Sequence, residues 1–206
     1  MKTLVFIING SNEYKRMFEL AGFGITNNIH DAGLVCFTGG ADVTPSLYGD
    51  KQHKYTGNNP ERDAHEAHFF TMAQELGIPC VGICRGGQFL NVMSGGRMYQ
   101  HVEEHCGDHD LIDSETGETI RVTSTHHQMF MPSDKATILA IANLQGTREW
   151  YDGQVFKRDV SNTDYEVVFY EHTRSLCFQP HPEFRSYEES RMRSWFFELV
   201  SKHLGV

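Results

Sequence analysis

Cys84 stands between Gly82 and Gly86, where an apolar run from Ile78 to Ile83 meets a helix-compatible run that stops at Gly95-Gly96. This is the setting of a nucleophile elbow, in which a strand turns sharply into a helix and the corner residue is held in a strained conformation. Glycines flank the corner because strand and helix approach too closely there for side chains. A cysteine so placed faces the unpaired N–H groups and positive potential of a helix N-terminus, which favour its thiolate. A thiolate that attacks a carbonyl needs an imidazole to take and return a proton, and that imidazole needs a carboxylate to fix its tautomer. His181 and Glu183 supply both groups. They lie two residues apart on a segment that Pro180 and Pro182 hold extended, so their side chains project to one side. The competing readings are a buried small hydrophobe for Cys84 and an exposed strand-end peptide for His-Pro-Glu. Together the two motifs point to nucleophilic catalysis by a cysteine.

The elements that must position these residues follow an α/β pattern. Leu4 to Ile8 is a continuous apolar run ending in Asn9-Gly10-Ser11-Asn12, as in a central parallel strand followed by a helix cap. Tyr14 to Leu20 predicts a short helix, and Gly33 to Thr38 a second strand running into Gly39-Gly40. Adjacent glycines at a strand's C-terminal end suit either a tight turn or backbone brought close to a ligand, since ligands of open α/β sheets sit beyond those ends. Residues 60–77 carry Pro and acids in the first turn and Gly at the end, predicting the crossover helix that feeds the Cys84 strand. From Leu111 onward short alternating pieces predict antiparallel strands at 119–123, 137–141, 165–170 and 175–178. Loops are expected at 107–117 and 159–164. A closing helix over about 187–203 places Met192, Trp195, Phe196 and Leu199 on one stripe.

Two histidine patterns invite a metal reading. His65 and His68 share a helix face without a third ligand and are expected to be solvated. His101-Val102-Glu103-Glu104-His105 matches a metallopeptidase pattern, but that pattern needs a helix and this stretch runs at once into Cys106-Gly107-Asp108, a loop composition. No metal and no cofactor is therefore expected. Asp63 and Glu66 suit structural hydrogen bonds.

The formal charge of −9 argues against a nucleic-acid surface, which needs clustered Lys and Arg. Five cysteines without framework spacing suit free thiols in a reducing compartment, with no disulfide. No membrane span or signal peptide is expected, because the Leu4–Ile8 run is too short, and the expected location is the cytoplasm. The length fits one domain, residues 1–206.

Gly82-Ile83-Cys84-Arg85-Gly86-Gly87-Gln88 with Gln179-Pro180-His181-Pro182-Glu183 resembles the class I glutamine amidotransferase superfamily. Thr38-Gly39-Gly40-Ala41-Asp42-Val43-Thr44-Pro45-Ser46-Leu47-Tyr48-Gly49 and His126-His127-Gln128 narrow the likeness to its γ-glutamyl hydrolase-like branch, peptidase C26, which includes γ-glutamyl-γ-aminobutyrate hydrolases. The similarity runs from about Gly33 to Phe184. It implies a flavodoxin-like fold: a central, mostly parallel sheet flanked by helices, with extra antiparallel strands. It also implies a Cys84–His181–Glu183 triad acting on the γ-carbonyl of glutamine or a γ-glutamyl amide, an oxyanion hole from the backbone N–H groups of Gly40 and Arg85, and substrate contacts from Gln88, His127 and Gln128. His126 and His127 suit structural roles equally well, and the Arg85 side chain suits a surface cation. Two departures stand out: little room for a strand and helix between Leu20 and Gly39, and Pro180 in place of an aromatic residue. The leading expectation is a stand-alone γ-glutamyl hydrolase. The alternatives are a glutaminase subunit serving a synthase partner, and an idle scaffold of the same fold. A small-molecule substrate is expected in the first two cases, with a synthase or a second copy as the candidate protein partners.

Overall fold

The β-branched and aliphatic run at the N-terminus forms β1 (Leu4–Ile8), and the polar Ser11 starts α1 (Asn12–Leu20) immediately after it. The computed structural model describes residues 2–142, 144, 146–161, 163–187 and 189–206. A three-residue strand, β2 (Gly24–Thr26), then lies parallel to β1 on the sheet edge, and β3 (Leu34–Phe37) lies parallel on its other side. The short interval before Gly39 therefore does hold a strand. Only its three paired residues mark it, which is too little for periodicity to register. No α-helix follows it; Ile29–Asp31 is a single 3-10 turn.

Helix α2 (Pro60–Leu76) begins with the Asn59 side chain accepting from Arg62 N and ends at Gly77 in the left-handed conformation, as its sequence predicts. It leads into β4 (Cys80–Ile83) and α3 (Arg85–Met93). The strands β5 (Arg97–Tyr99), β6 (His101–Val102), β7 (His109–Asp113), β8 (Thr119–Val122), β9 (Met129–Met131), β10 (Thr137–Ala142), β11 (Gly146–Tyr151), β12 (Phe156–Ser161), β13 (Asp164–Tyr170) and β14 (Ser175–Phe178) follow. Helix α4 (Arg191–Leu204) closes the described chain.

Among the described residues the main sheet has nine strands in the order β2-β1-β3-β4-β14-β13-β10-β7-β8. Pairings from β2 to β14 are parallel and those from β14 to β8 antiparallel, so an antiparallel extension continues the parallel core. Helices α1 and α4 cover one face, burying Phe18, Trp195 and Phe196, while α2 and α3 cover the other with Phe70, Phe89 and Leu90. A parallel strand covered on both faces must be apolar throughout, which is why β3 and β4 have no exposed residue.

The structure differs from sequence expectation in three further places. The expected loop at 107–117 contains β7, and the one at 159–164 holds the end of β12 and the start of β13, with Asn162 outside the described residues. Five of the six β12 residues are exposed, so no alternation marked it as a strand. The last helix begins at Arg191 rather than 187, capped by the Ser190 hydroxyl accepting from Arg193 N; Tyr187 belongs to a 3-10 turn and Glu188 lies outside the described residues. No helix among the described residues is long and apolar enough to cross a membrane.

Candidate active site

Cys84 is the N-cap of α3, at φ 54° and ψ −116°. Its N–H still donates to Phe178 O at 2.8 Å, so the sheet holds the corner while the chain turns. A Cβ at Gly82 would strike the Gly86 carbonyl and Gly87 N, and one at Gly86 would strike Phe37 O. The helix thus rests directly on the ends of β3 and β4, with Cys84 at its N-terminus.

β14 lies parallel beside β4, so the segment after it carries His181 to the same end of the sheet. His181 N donates to Thr123 Oγ1 at 2.7 Å, and His181 Nδ1 donates to Glu183 Oε1 at 2.7 Å. Phe184 stacks on the imidazole with centroids 4.6 Å apart. Arg193 from α4 donates to Pro182 O at 2.6 Å and to Phe184 O at 2.9 Å, which fixes the turn from below. Burial opposes a charged imidazole here, but hydrogen bonds with Cys84 and Glu183 and their negative charge outweigh it and push His181 up to about 10. The structure therefore brings Cys84, His181 and Glu183 together, with Pro180 buried and accommodated at the strand end.

Sequence reasoning passed over Tyr14. Its hydroxyl accepts from Gly39 N at 3.0 Å, and burial together with the charge of Glu183, to which it donates, raises its phenol pKa. One residue of α1 thereby joins the glycine turn to the carboxylate.

Gly40 sits at φ +149°, a backbone conformation that side chains rarely adopt, with the Arg62 guanidinium where a Cβ would project. The Arg85 side chain is not a surface cation: it is 1% exposed, ion-paired with Asp63 and Glu66, and its Nε donates to Ala41 O at 3.1 Å. Asp63 also accepts from the Thr44 N–H at 3.0 Å and from the Thr44 hydroxyl, while Arg62 donates to Glu66 at 2.8 Å and to Thr38 O at 2.9 Å. The two acids of α2 thus clamp the 38–44 loop to the first turn of α3. Their i, i+3 spacing on one helix face was the available signal.

Gly40, Cys84, Arg85, Gln88, His127 and Gln128 all border one cleft of about 270 Å³, alongside Asp42 and Tyr55. Gln88 donates its amide to Gln128 O at 3.2 Å and Gln179 Oε1 at 3.1 Å, and Gln128 donates its own to Thr56 Oγ1 and Gln100 O. Both amides shape the wall through protein partners. His127 reaches outward instead, 3.2 Å from Asp42, which raises its pKa. His65 and His68 are exposed beside Phe69. The His101–His105 stretch is no helix: His101 lies on β6 against Tyr55, whereas His105 is buried 2.9 Å from Asp164.

The Lactococcus lactis protein YvdE, named as glutamine amidotransferase-like, is 39% identical over 104 residues, 50% of this chain and 43% of that protein. The chain spans about half the length of the curated relatives it matches. Among solved structures, a glutamine amidotransferase from Thermotoga maritima superposes with a TM-score of 0.60 at 15% identity, covering 98% of this chain and 85% of that one. PurLQS of the same organism gives 0.62 at 18%, covering 98% and 99%. The fold is thus the mixed α/β sheet flanked by helices of these amidotransferases. The Peptidase C26 family model matches residues 25–152, more than half the chain, and the chain belongs to that family.

Proposed function

We propose that the protein hydrolyses γ-glutamyl amides through a γ-glutamyl thioester on Cys84. The observation that carries this reading is the meeting of Cys84 with a His181 already paired to Glu183, at a helix N-terminus and beside an open cleft. In the first step the Cys84 thiolate attacks the γ-carbonyl carbon and protonated His181 gives its proton to the departing nitrogen as the C–N bond breaks. In the second, water attacks the thioester carbonyl, neutral His181 takes the water's proton, and the C–S bond breaks to release glutamate and regenerate the thiolate–imidazolium pair. The N–H groups of Arg85 and Gly40 would hold the oxyanion in both steps, each contributing about 3 kcal/mol. Glu183 keeps the His181 tautomer and stabilises the imidazolium.

A glutaminase subunit that hands ammonia to a synthase is the second reading, favoured by the full-length likeness to PurLQS. Incubation with glutamine and a panel of γ-glutamyl amides, following glutamate release and intact mass, separates the two. Cys84-dependent release from an amide in preference to glutamine, lost in Cys84→Ala, supports the hydrolase. Silence on every substrate, with no thioester adduct, overturns it in favour of a partner-dependent subunit or an idle scaffold.

A further inference from the structure

At the cleft wall, which His126 helps to line, three histidines converge on one carboxylate. Glu166 Oε1 lies 2.7 Å from His109 Nε2, 3.2 Å from His105 Nδ1 and 3.7 Å from His126 Nε2. All four side chains are at least nine-tenths buried. Each imidazole is held from outside by its other nitrogen: His105 Nε2 by Asp164 Oδ2 at 2.9 Å, His109 Nδ1 by Gly107 O at 3.4 Å, and His126 Nδ1 by Gln128 O at 3.0 Å. A carbonyl oxygen only accepts, so the outer nitrogens of His109 and His126 carry their protons. The inner nitrogens converge on Glu166, where His109 Nε2 makes a hydrogen bond and His105 Nδ1 makes none.

Three imidazoles packed on one carboxylate leave buried polar atoms unpaired. Glu166 Oε2 is buried without a hydrogen-bond partner, as is His126 Nε2. Outer N–H groups given to a carboxylate and to backbone carbonyls are the arrangement that orients metal-binding imidazoles.

We propose that His105 Nδ1, His109 Nε2 and Glu166, with His126 Nε2 as fourth donor, bind a divalent transition metal, zinc by preference. The donor atoms of His105, His109 and Glu166 all lie within 4.8 Å of one another. Tetrahedral zinc, with Zn–N of about 2.0–2.1 Å, needs donors about 3.3 Å apart, so closure requires movements of about an ångström. Imidazole and carboxylate donors suit Zn²⁺ over Mg²⁺ or Ca²⁺. This departs from the expectation of no metal, which rested on pairing His101 with His105. The fold separates those two and gives His105 a different set of companions. The metal would be structural, joining the 105–109 segment and β13 to the 123–128 segment, whose Thr123 also accepts from His181 N.

The test uses tag-free, full-length protein, dialysed against chelator and titrated with Zn²⁺ and separately with Co²⁺. The proposal expects about one metal per chain by elemental analysis, a rise in thermal midpoint with Zn²⁺, and the strong visible absorption of four-coordinate Co²⁺. His109→Asn and Glu166→Gln should each lose the bound equivalent and the cobalt spectrum, while His65→Asn keeps both. Far-UV circular dichroism of the variants separates lost ligation from lost folding. Should Glu166→Gln not fold, the wild-type cobalt spectrum decides alone. Sub-stoichiometric binding to the wild type, a weak six-coordinate cobalt spectrum, or equal binding by folded His109→Asn overturns the site and leaves protons in place of the metal.

Discussion

The φ of 54° and ψ of −116° at Cys84 are disfavoured for any residue with a Cβ, at a cost on the order of 1–3 kcal/mol. Cys84→Gly should therefore be more stable than Cys84→Ala by about 1–2 kcal/mol in chemical denaturation, although both lack the sulfur; equal stability would mean that the corner is unstrained. His181 gives a second prediction, in pH. Its folded value of about 10 exceeds the ordinary 6.5, so the folded protein holds this proton more tightly than the unfolded chain. The stability it contributes is complete below about pH 6.5 and is lost as pH rises toward 10. The thermal midpoint of wild type minus that of His181→Asn should shrink across this window, and a difference that stays flat or grows would show His181 to be neutral. These residues were legible in the sequence because type, spacing and flanking glycines or prolines are local signals. Tyr14 and Arg193 were not: Tyr14 reaches Gly39 and Glu183 from a helix remote in sequence, Arg193 reaches back to main-chain oxygens, and no neighbour of either marks a role.

At the scale of elements, α2 does more than connect strands. Asp63 and Glu66 enclose the Arg85 guanidinium, whose Nε in turn holds Ala41 O, so the proposed oxyanion donors on the 38–44 loop and on α3 are set by one buried charge cluster. Removing one partner from such a cluster leaves uncompensated charge, typically at 3–5 kcal/mol. Asp63→Asn should lower unfolding free energy by about that amount and reduce kcat more than it raises KM, since the proposed oxyanion donors act on the transition state rather than on the bound substrate. A loss below about 1 kcal/mol would place the clamp elsewhere. The sequence announced α2, β4 and α3 through caps and apolar runs, but not this use of them. Arg85 looked like a surface cation because its burial depends on acids some twenty positions earlier. The β11–β12 hairpin was illegible for a different reason: β12 is exposed along nearly its whole length, so pairing with β11 alone makes it a strand.

For the molecule as a whole, the parallel and antiparallel halves of the sheet meet at β14, and α4 lies across that seam. Phe196 packs on Phe178 of β14 at 5.1 Å and on Phe18 of α1 at 6.4 Å, while Trp195 Nε1 donates to Asp113 of β7 at 2.9 Å. One helix therefore touches the first helix, the strand that leads to His181, and the antiparallel extension. Phe196→Ala removes an aromatic ring from the middle of these contacts and should cost about 3–5 kcal/mol, a large share of a typical 5–15 kcal/mol. Because α4 joins both halves, the loss should lower the stability of the whole rather than free one end. In a Trp150→Phe background, where Trp195 is the only tryptophan, its fluorescence and far-UV circular dichroism should give coincident unfolding midpoints that move together on Phe196→Ala. Midpoints that separate in the variant would show that the antiparallel extension unfolds on its own, and that the seam at β14 rather than α4 carries the cooperativity.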